Sequence, residues 1–200
     1  MHCLDRLKIY WFHWQKNRLW PGLNHKILGW SSYQEQQMRF STIGDAAEFR
    51  AKSVIDLGCG MGELYDYLTQ DQCLASYLGI DQHWPFLQQA RQRVGSAHCR
   101  FKYGDISKLT LPVADIIVAS GSLSYRSTNK NYLSQMITRM HNAANETVIF
   151  NLLNSDTFPQ QKTLQPYNKR AVYRFCKTIS AHVRVIDDYS KSDFTIVLDK

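Results

Sequence analysis

Two hundred residues, 44% of them hydrophobic and 20% charged, make one globular domain the default and leave chain enough for a sizeable core. No run reaches the ~18 apolar residues of a membrane-spanning helix, and Ile9–Phe12 is interrupted at once by His13 and Lys16 with no small-residue cleavage site behind it, so a cytoplasmic chain is expected. The net charge of +7 is uneven: residues 1–52 hold eight Lys/Arg against four Asp/Glu, residues 53–150 eight of each, and residues 151–192 seven against three, so basic flanks enclose a neutral centre.

In residues 1–30, Tyr10, Trp11, Phe12, Trp14, Trp20 and Trp30 are interleaved with Arg6, Lys8, Lys16, Arg18 and Lys26. Such a mixture can stack bases and hold phosphates. It can equally form a packing helix or a lid, since Leu4, Leu7, Trp11 and Trp14 recur at one-face helical spacing, and these four are the expected buried face. Pro21-Gly22 punctuates the segment, and the main domain is expected over residues 31–200. Ser32 and Glu35 have the spacing of a capping box, which predicts a helix to about Gly44 with Phe40 and Ile43 turned inward and Arg39 upon it.

Val54-Ile55-Asp56-Leu57 then reads as a buried strand, followed by glycines at 58, 60 and 62 and a helix with Leu64 and Leu68 inward. Alternating glycines let the backbone turn tightly against a ligand, and the helix start behind them favours a negative group. A dinucleotide turn, G-x-G-x-x-G, would need glycine at 63, where this chain has Glu63. Ser76–Asp81 is a second strand ending in an acid, a position that commonly accepts ribose hydroxyls, and Pro85 opens the next helix. His83, two residues beyond Asp81, is expected in an exposed loop.

Cys99–Tyr103 is a third strand leading into Gly104-Asp105-Ile106, and Ala114–Ala119 a fourth, fully buried one ending at Ser120. Thr128 is placed to cap a helix carrying Tyr132, Leu133, Met136, Ile137 and Met140 inward, and Thr147–Leu153 is the fifth strand. The polar loop 154–166 adjoins a strand end, where binding residues often sit, with Asn154 at its start and Tyr125 on the loop opposite. Asn168 caps a last helix, and the strands His182–Asp187 and Phe194–Leu198, joined by a short turn, must run antiparallel. The five cysteines are scattered, odd in number and without a C-x-x-C pair, so neither a disulfide framework nor a zinc site is expected, and no metal at all. The sequence sets no oligomeric state.

Asp56-Leu57-Gly58-Cys59-Gly60-Met61-Gly62 resembles motif I of the class I S-adenosylmethionine-dependent methyltransferases, Gly79-Ile80-Asp81 the ribose acid, Gly104-Asp105-Ile106 the adenine station, and Asp115–Ser120 the fourth strand. Leu28–Ser32, Gln36–Phe40, Pro166–Asn168 and the tail from Asp188 widen the resemblance to a bacterial subgroup of this class whose substrate it does not name. The resemblance implies a Rossmann-like α/β fold: a doubly wound, seven-stranded, mostly parallel sheet with an antiparallel last strand. It implies S-adenosylmethionine as cofactor, S-adenosylhomocysteine as product, and cofactor contacts from Arg39, Asp56, Gly58, Cys59, Gly60, Asp81, Gln82, Asp105, Ile106 and Ser120.

Substrate signals are mostly absences. Ser120-Gly121-Ser122-Leu123 lacks the Asn/Asp-Pro-Pro-Tyr of enzymes acting on exocyclic base amines, and neither Ala119–Tyr125 nor Leu152–Asp156 has the cysteine that ring-carbon methylation needs. An oxygen- or nitrogen-directed enzyme on a small, anionic molecule is expected. RNA- or protein-directed transfer and a non-catalytic adenosylmethionine-binding module are the alternatives. No catalytic residue stands out.

Overall fold

A computed structural model describes residues 1–200. Five strands, β1 (Ser53–Leu57), β2 (Ser76–Asp81), β3 (Cys99–Tyr103), β4 (Ala114–Ala119) and β5 (Ala144–Leu153), pair in parallel, and β6 (His182–Ile186) and β7 (Asp193–Asp199) complete one sheet in the order β3-β2-β1-β4-β5-β7-β6. Strand β7 alone runs against the rest, antiparallel to β5 on one side and β6 on the other. The sheet is thus the one implied by the strand pattern and by the class I methyltransferase resemblance.

The two faces of the sheet follow from residue alternation along its strands. Val54, Ile116, Val118, Ile149 and Val197 pack against α3 (Tyr33–Gly44) and α4 (Glu63–Leu68) through Phe40, Ile43, Leu64 and Leu68. On the other face Ile55, Leu57, Ile117, Ala119, Phe150, Phe194 and Ile196 pack against α6 (Tyr132–Ala143) and α7 (Lys169–Lys177). Helix α5 (Trp84–Arg93) covers β2 and β3. Because β1 and β4 lie side by side with their crossovers on opposite faces, their C-terminal ends open a crevice, the usual ligand position in a doubly wound sheet.

The caps hold as read for two helices. Ser32 accepts from the Glu35 amide at 3.1 Å and Asn168 from the Ala171 amide at 3.0 Å. The Glu35 carboxylate completes no capping box; it takes the Ser31 hydroxyl instead. Thr128 caps nothing: α6 begins after Asn131, and Thr128 is drawn to Asp5.

Helix α1 (Cys3–Leu19), followed by the single turn α2 (Asn24–Ile27), lies over the crevice with the opposite face inward from the one its apolar spacing predicts. Asp5, Ile9 and His13 are buried, while Leu4, Leu7 and Trp11 are more than half exposed. The reason is chemical: the crevice is walled by polar loop ends, so the helix presents its polar side to them. Asp5 accepts from the Thr128 amide at 2.9 Å, the Thr128 hydroxyl at 3.0 Å and the Ser127 hydroxyl at 3.2 Å. Burial pushes its carboxyl up, but these bonds outweigh that and hold it below the usual range. Asp5→Ala is expected to remove ~2 kcal/mol or more of local stability, leaving the sheet folded. Faster amide exchange confined to residues 3–19 is the measurement that checks it.

Candidate functional site

The glycine turn is shaped by its neighbours as much as by its own freedom. Gly58 has φ +80°, and a Cβ built there would fall 2.2 Å from Cβ of Ser122 in the 3₁₀ turn Ser122–Ser124. Ser122 in turn donates its hydroxyl to the Leu57 carbonyl. The amides of Gly58 and Cys59 both point at the Ile80 carbonyl, at 2.7 and 3.2 Å, which pins the turn to the end of β2.

Asp81 is locked in the same corner. One carboxylate oxygen accepts from the Gly60 amide at 2.9 Å and the other from the His83 amide at 2.7 Å. Each oxygen keeps a second lone-pair direction for a ligand hydroxyl. Burial raises this carboxyl to about 6, against the lowering effect of the backbone amides. Asp56, beneath the turn, is raised to about 7, chiefly by burial, although the Tyr77 hydroxyl donates to it at 2.6 Å.

These groups line a cavity of about 780 Å³ at the C-terminal ends of β1, β2 and β4. All ten residues expected to touch the cofactor lie on its wall: Arg39, Asp56, Gly58, Cys59, Gly60, Asp81, Gln82, Asp105, Ile106 and Ser120. Beyond the end of β3, Asp105 accepts from the Ser107 amide and hydroxyl through one oxygen; the other has no hydrogen-bond partner and lies 3.8 Å from the Met1 ammonium and 4.0 Å from Nε of Arg6. Arg6 also donates to Gln82 at 3.0 Å, tying α1 to the loop after β2. Arg39 is buried, ion-paired to Asp193 and stacked 4.4 Å over the Trp30 ring, with its Nε unpartnered. Cys59 is buried, and burial drives its thiol well above its ordinary range, so it is a small apolar filler rather than a nucleophile.

On the opposite wall, sequence reasoning singled out Tyr125, after the Ser122–Ser124 turn, but missed its partner: His13 on α1 is joined to it by a 2.8 Å hydrogen bond. The other His13 nitrogen, Nδ1, is 2.9 Å from the Ile27 carbonyl. A carbonyl can only accept, so Nδ1 carries the proton and Nε2 accepts from the Tyr125 hydroxyl. Burial lowers His13 to about 4, so this wall is uncharged at neutral pH. His83 is not the exposed loop residue expected. It is buried in a ring cluster with Phe86 at 3.9 Å, Tyr10 at 4.9 Å and His13 at 5.6 Å, and burial lowers it, too, to about 4. Asn154 stands off the cavity, with its side chain turned onto the Asp156 amide. The i, i+4, i+8 spacing of Asp5, Ile9 and His13 was the signal for the buried face of α1, and Asn151, polar amid Ile149-Phe150 and Leu152-Leu153, was the signal for the cavity floor.

The buried polar side-chain atoms that lack partners are all on residues of this one cavity: Trp30, Arg39, Asp56, His83, Asp105, Ser120, Tyr132 and Asn151. Buried polar groups elsewhere in the fold are paired, as they must be to avoid a cost of 1–3 kcal/mol each, roughly. Unmet donors and acceptors gathered on one wall therefore fit a large polar ligand. Acceptors at Asp81 and Asp105 and a cation at Arg39 match the hydroxyl, amine and carboxylate groups of adenosylmethionine. No group of three or more metal-ligating side chains accompanies them.

Residues 54–146 match the family model of a methyltransferase domain. A malonyl-[acyl-carrier protein] O-methyltransferase of Neorickettsia risticii is 35% identical over 79 residues, which are 40% of this chain and 31% of that protein, so the chain spans about a third of the length of that relative. A Mycobacterium tuberculosis protein, named as a methyltransferase without a substrate, is 29% identical over 158 residues, 74% of this chain and 93% of its own length. Among solved structures, magnesium protoporphyrin IX methyltransferase from Synechocystis, with bound S-adenosylhomocysteine, superposes with a TM-score of 0.69 over 98% of both chains at 14% identity.

Proposed function

We propose that the chain, whose residues 54–146 match a methyltransferase domain, is a class I S-adenosylmethionine-dependent methyltransferase that transfers a methyl group to an oxygen or nitrogen of a small-molecule acceptor. The observation that carries this is the gathering of every unpartnered buried polar side chain on the cavity that also holds the glycine turn, Asp81 and Asp105. The names of the Neorickettsia and Synechocystis proteins, with malonyl-[acyl-carrier protein] and magnesium protoporphyrin IX as acceptors, support the acceptor class.

When bound, adenosylmethionine supplies an electrophilic methyl group on a sulfonium. Asp81 accepts the ribose hydroxyls, with Gln82 closing the rim beside it. Asp105 accepts the adenine amine, with the Ile106 backbone alongside. The Gly58–Gly60 turn and Arg39 Nε take the amino-acid end. His13 and Tyr125 wall the acceptor side. Being neutral, they add no positive charge against an incoming cation and exclude water from the line of attack, which is most of what an in-line displacement asks of the protein.

Cofactor binding is expected to depend on pH through Asp81. Ribose hydroxyls donate to the ionised carboxylate, so binding lowers its proton affinity from the free value near 6. Affinity is therefore full above pH 6 and falls by up to about tenfold per unit below it, with uptake of adenosylmethionine releasing a proton. Calorimetry at pH 5 and pH 8, repeated in buffers of different ionisation heat, tests this. No binding at millimolar cofactor refutes the function, and equal affinity at the two pH values refutes the role of Asp81. RNA retention with a steep salt slope, and no turnover on a panel of metabolites, would favour the nucleic-acid alternative.

A further inference from the structure

Helix α1 is inside out for a helix that ends its contacts at the domain surface. Its polar residues Asp5 and His13 are 2% and 5% exposed, while Leu4, Leu7 and Trp11 are 56%, 62% and 54% exposed. The apolar face continues through Leu19, the last residue of the helix, to Trp20 and Leu23 beyond it. More than half of the chain's exposed large hydrophobic residues fall within these first 23 positions, which makes this a patch and not the scatter normal on a surface.

Three features choose its occupant. Of the five cations in residues 1–30, Arg6 is turned inward to Gln82 and Asp105 and Lys16 and Lys26 stand at the cavity mouth, so Lys8 and Arg18 are the charges of the outer face, and the single acid, Asp5, is buried and already bonded. A second copy of this face would bring like charges together, whereas an anionic surface complements it. The cations sit beside aromatic rings, Arg18 4.9 Å over Trp14 and Lys26 5.6 Å over Trp20, so that ring and charge share one level. Half of the apolar groups are leucines, which cannot stack on bases as an RNA platform requires but do insert among acyl chains. We propose that the outer face of α1, with Trp20 and Leu23, docks on a bilayer surface bearing anionic lipids. Leu7, Tyr10 and Trp20 also line the cavity, so docking sets the mouth of the site against the lipid.

The test is co-sedimentation of the full chain with phosphatidylcholine vesicles, with and without phosphatidylglycerol, and needs neither cofactor nor acceptor. Binding to the anionic vesicles only is expected. Lys8→Glu, a two-unit change of charge at about 1 kcal/mol per unit, should lower partitioning about thirtyfold. Leu4→Glu with Trp11→Glu should lower it at least tenfold. Neither Leu4, Lys8 nor Trp11 lines the cavity, so calorimetric affinity for adenosylmethionine should match the parent protein and serves as the check of folding. If the double variant fails that check, Lys8→Glu alone decides. Absence of binding to anionic vesicles, or equal binding by folded variants, overturns the proposal. So does a dimer, or RNA retention, that is lost in Trp11→Glu while vesicle binding is not seen. Because docking is read without cofactor, a failed methyltransferase reading and a failed docking proposal give different results.

Discussion

Asp81→Asn is expected to weaken adenosylmethionine binding about a hundredfold or more, from the loss of two hydrogen bonds to a charged acceptor at roughly 1.5–3 kcal/mol each. The geometry makes this isosteric change severe. Both carboxylate oxygens already accept a backbone amide, from Gly60 and His83. The asparagine NH₂ must therefore face one of those N–H groups, donor against donor, and the turn has to shift or the amide to swing into the ribose position. Relief of the buried charge works in the opposite direction, so the apo protein should be as stable as the parent or more so at neutral pH: the native carboxyl sits near 6, above its unfolded value, and its ionised form is the strained one. Calorimetry for binding together with urea midpoints for stability separates the two effects. Cofactor affinity unchanged within a factor of three would remove Asp81 from the site.

Gly58→Ala should be the most damaging single methyl group in the chain, costing about 3 kcal/mol or more and abolishing cofactor binding. Two penalties coincide there. The backbone at φ +80° disfavours any side chain, and the new Cβ would lie 2.2 Å from Cβ and 2.9 Å from the hydroxyl of Ser122. Ser122 cannot retreat without breaking its bond to the Leu57 carbonyl. Two controls resolve the contributions. Gly22→Ala meets a similar φ, +79°, but open space, so it reports the conformational part alone, about 1 kcal/mol. Gly95→Ala meets neither and should be neutral or slightly stabilising. Urea unfolding of the three variants would expose an error if Gly58→Ala fell level with Gly22→Ala.

The ease with which the central sheet and glycine turn can be read from the sequence has a physical basis. A turn that must approach another backbone needs glycine, a strand buried on both faces needs a run such as Ile116-Ile117-Val118-Ala119, and an acid at a parallel strand end faces the crevice whatever surrounds it. These are local demands, and they brought all ten expected cofactor residues onto one cavity wall. What was illegible depended on what the chain would meet elsewhere. Hydropathy turned α1 the wrong way because Leu4, Leu7, Trp11 and Trp14 outweigh Asp5 and His13 on any apolar scale, yet the surface beneath offers the donors of Ser127 and Thr128, more than a hundred positions away. The same contact removed Thr128 from its expected cap. His83 looked like a loop residue because two of the three rings packed on it, Tyr10 and His13, are supplied by the distant α1. Arg39 lies on the cavity wall as expected, but its pairing with Asp193 could not be anticipated from residues so far apart in sequence.

The place of β7 has a consequence for the order in which the molecule can be assembled as it leaves the ribosome. Strand β6 is made first but touches the sheet only through β7, which lies between it and β5. Until Asp193–Asp199 has emerged, β5 keeps a free edge along Thr147–Leu153, and β6 has nothing to pair with. Phe194, Ile196 and Leu198, fully buried in the finished core, are thus the pieces without which neither neighbour is protected. The nascent chain passes through a stage with a long, apolar, unpaired strand, the form most prone to pair with another chain. Its window of vulnerability closes only when the last strand of the sheet is threaded between the two made before it.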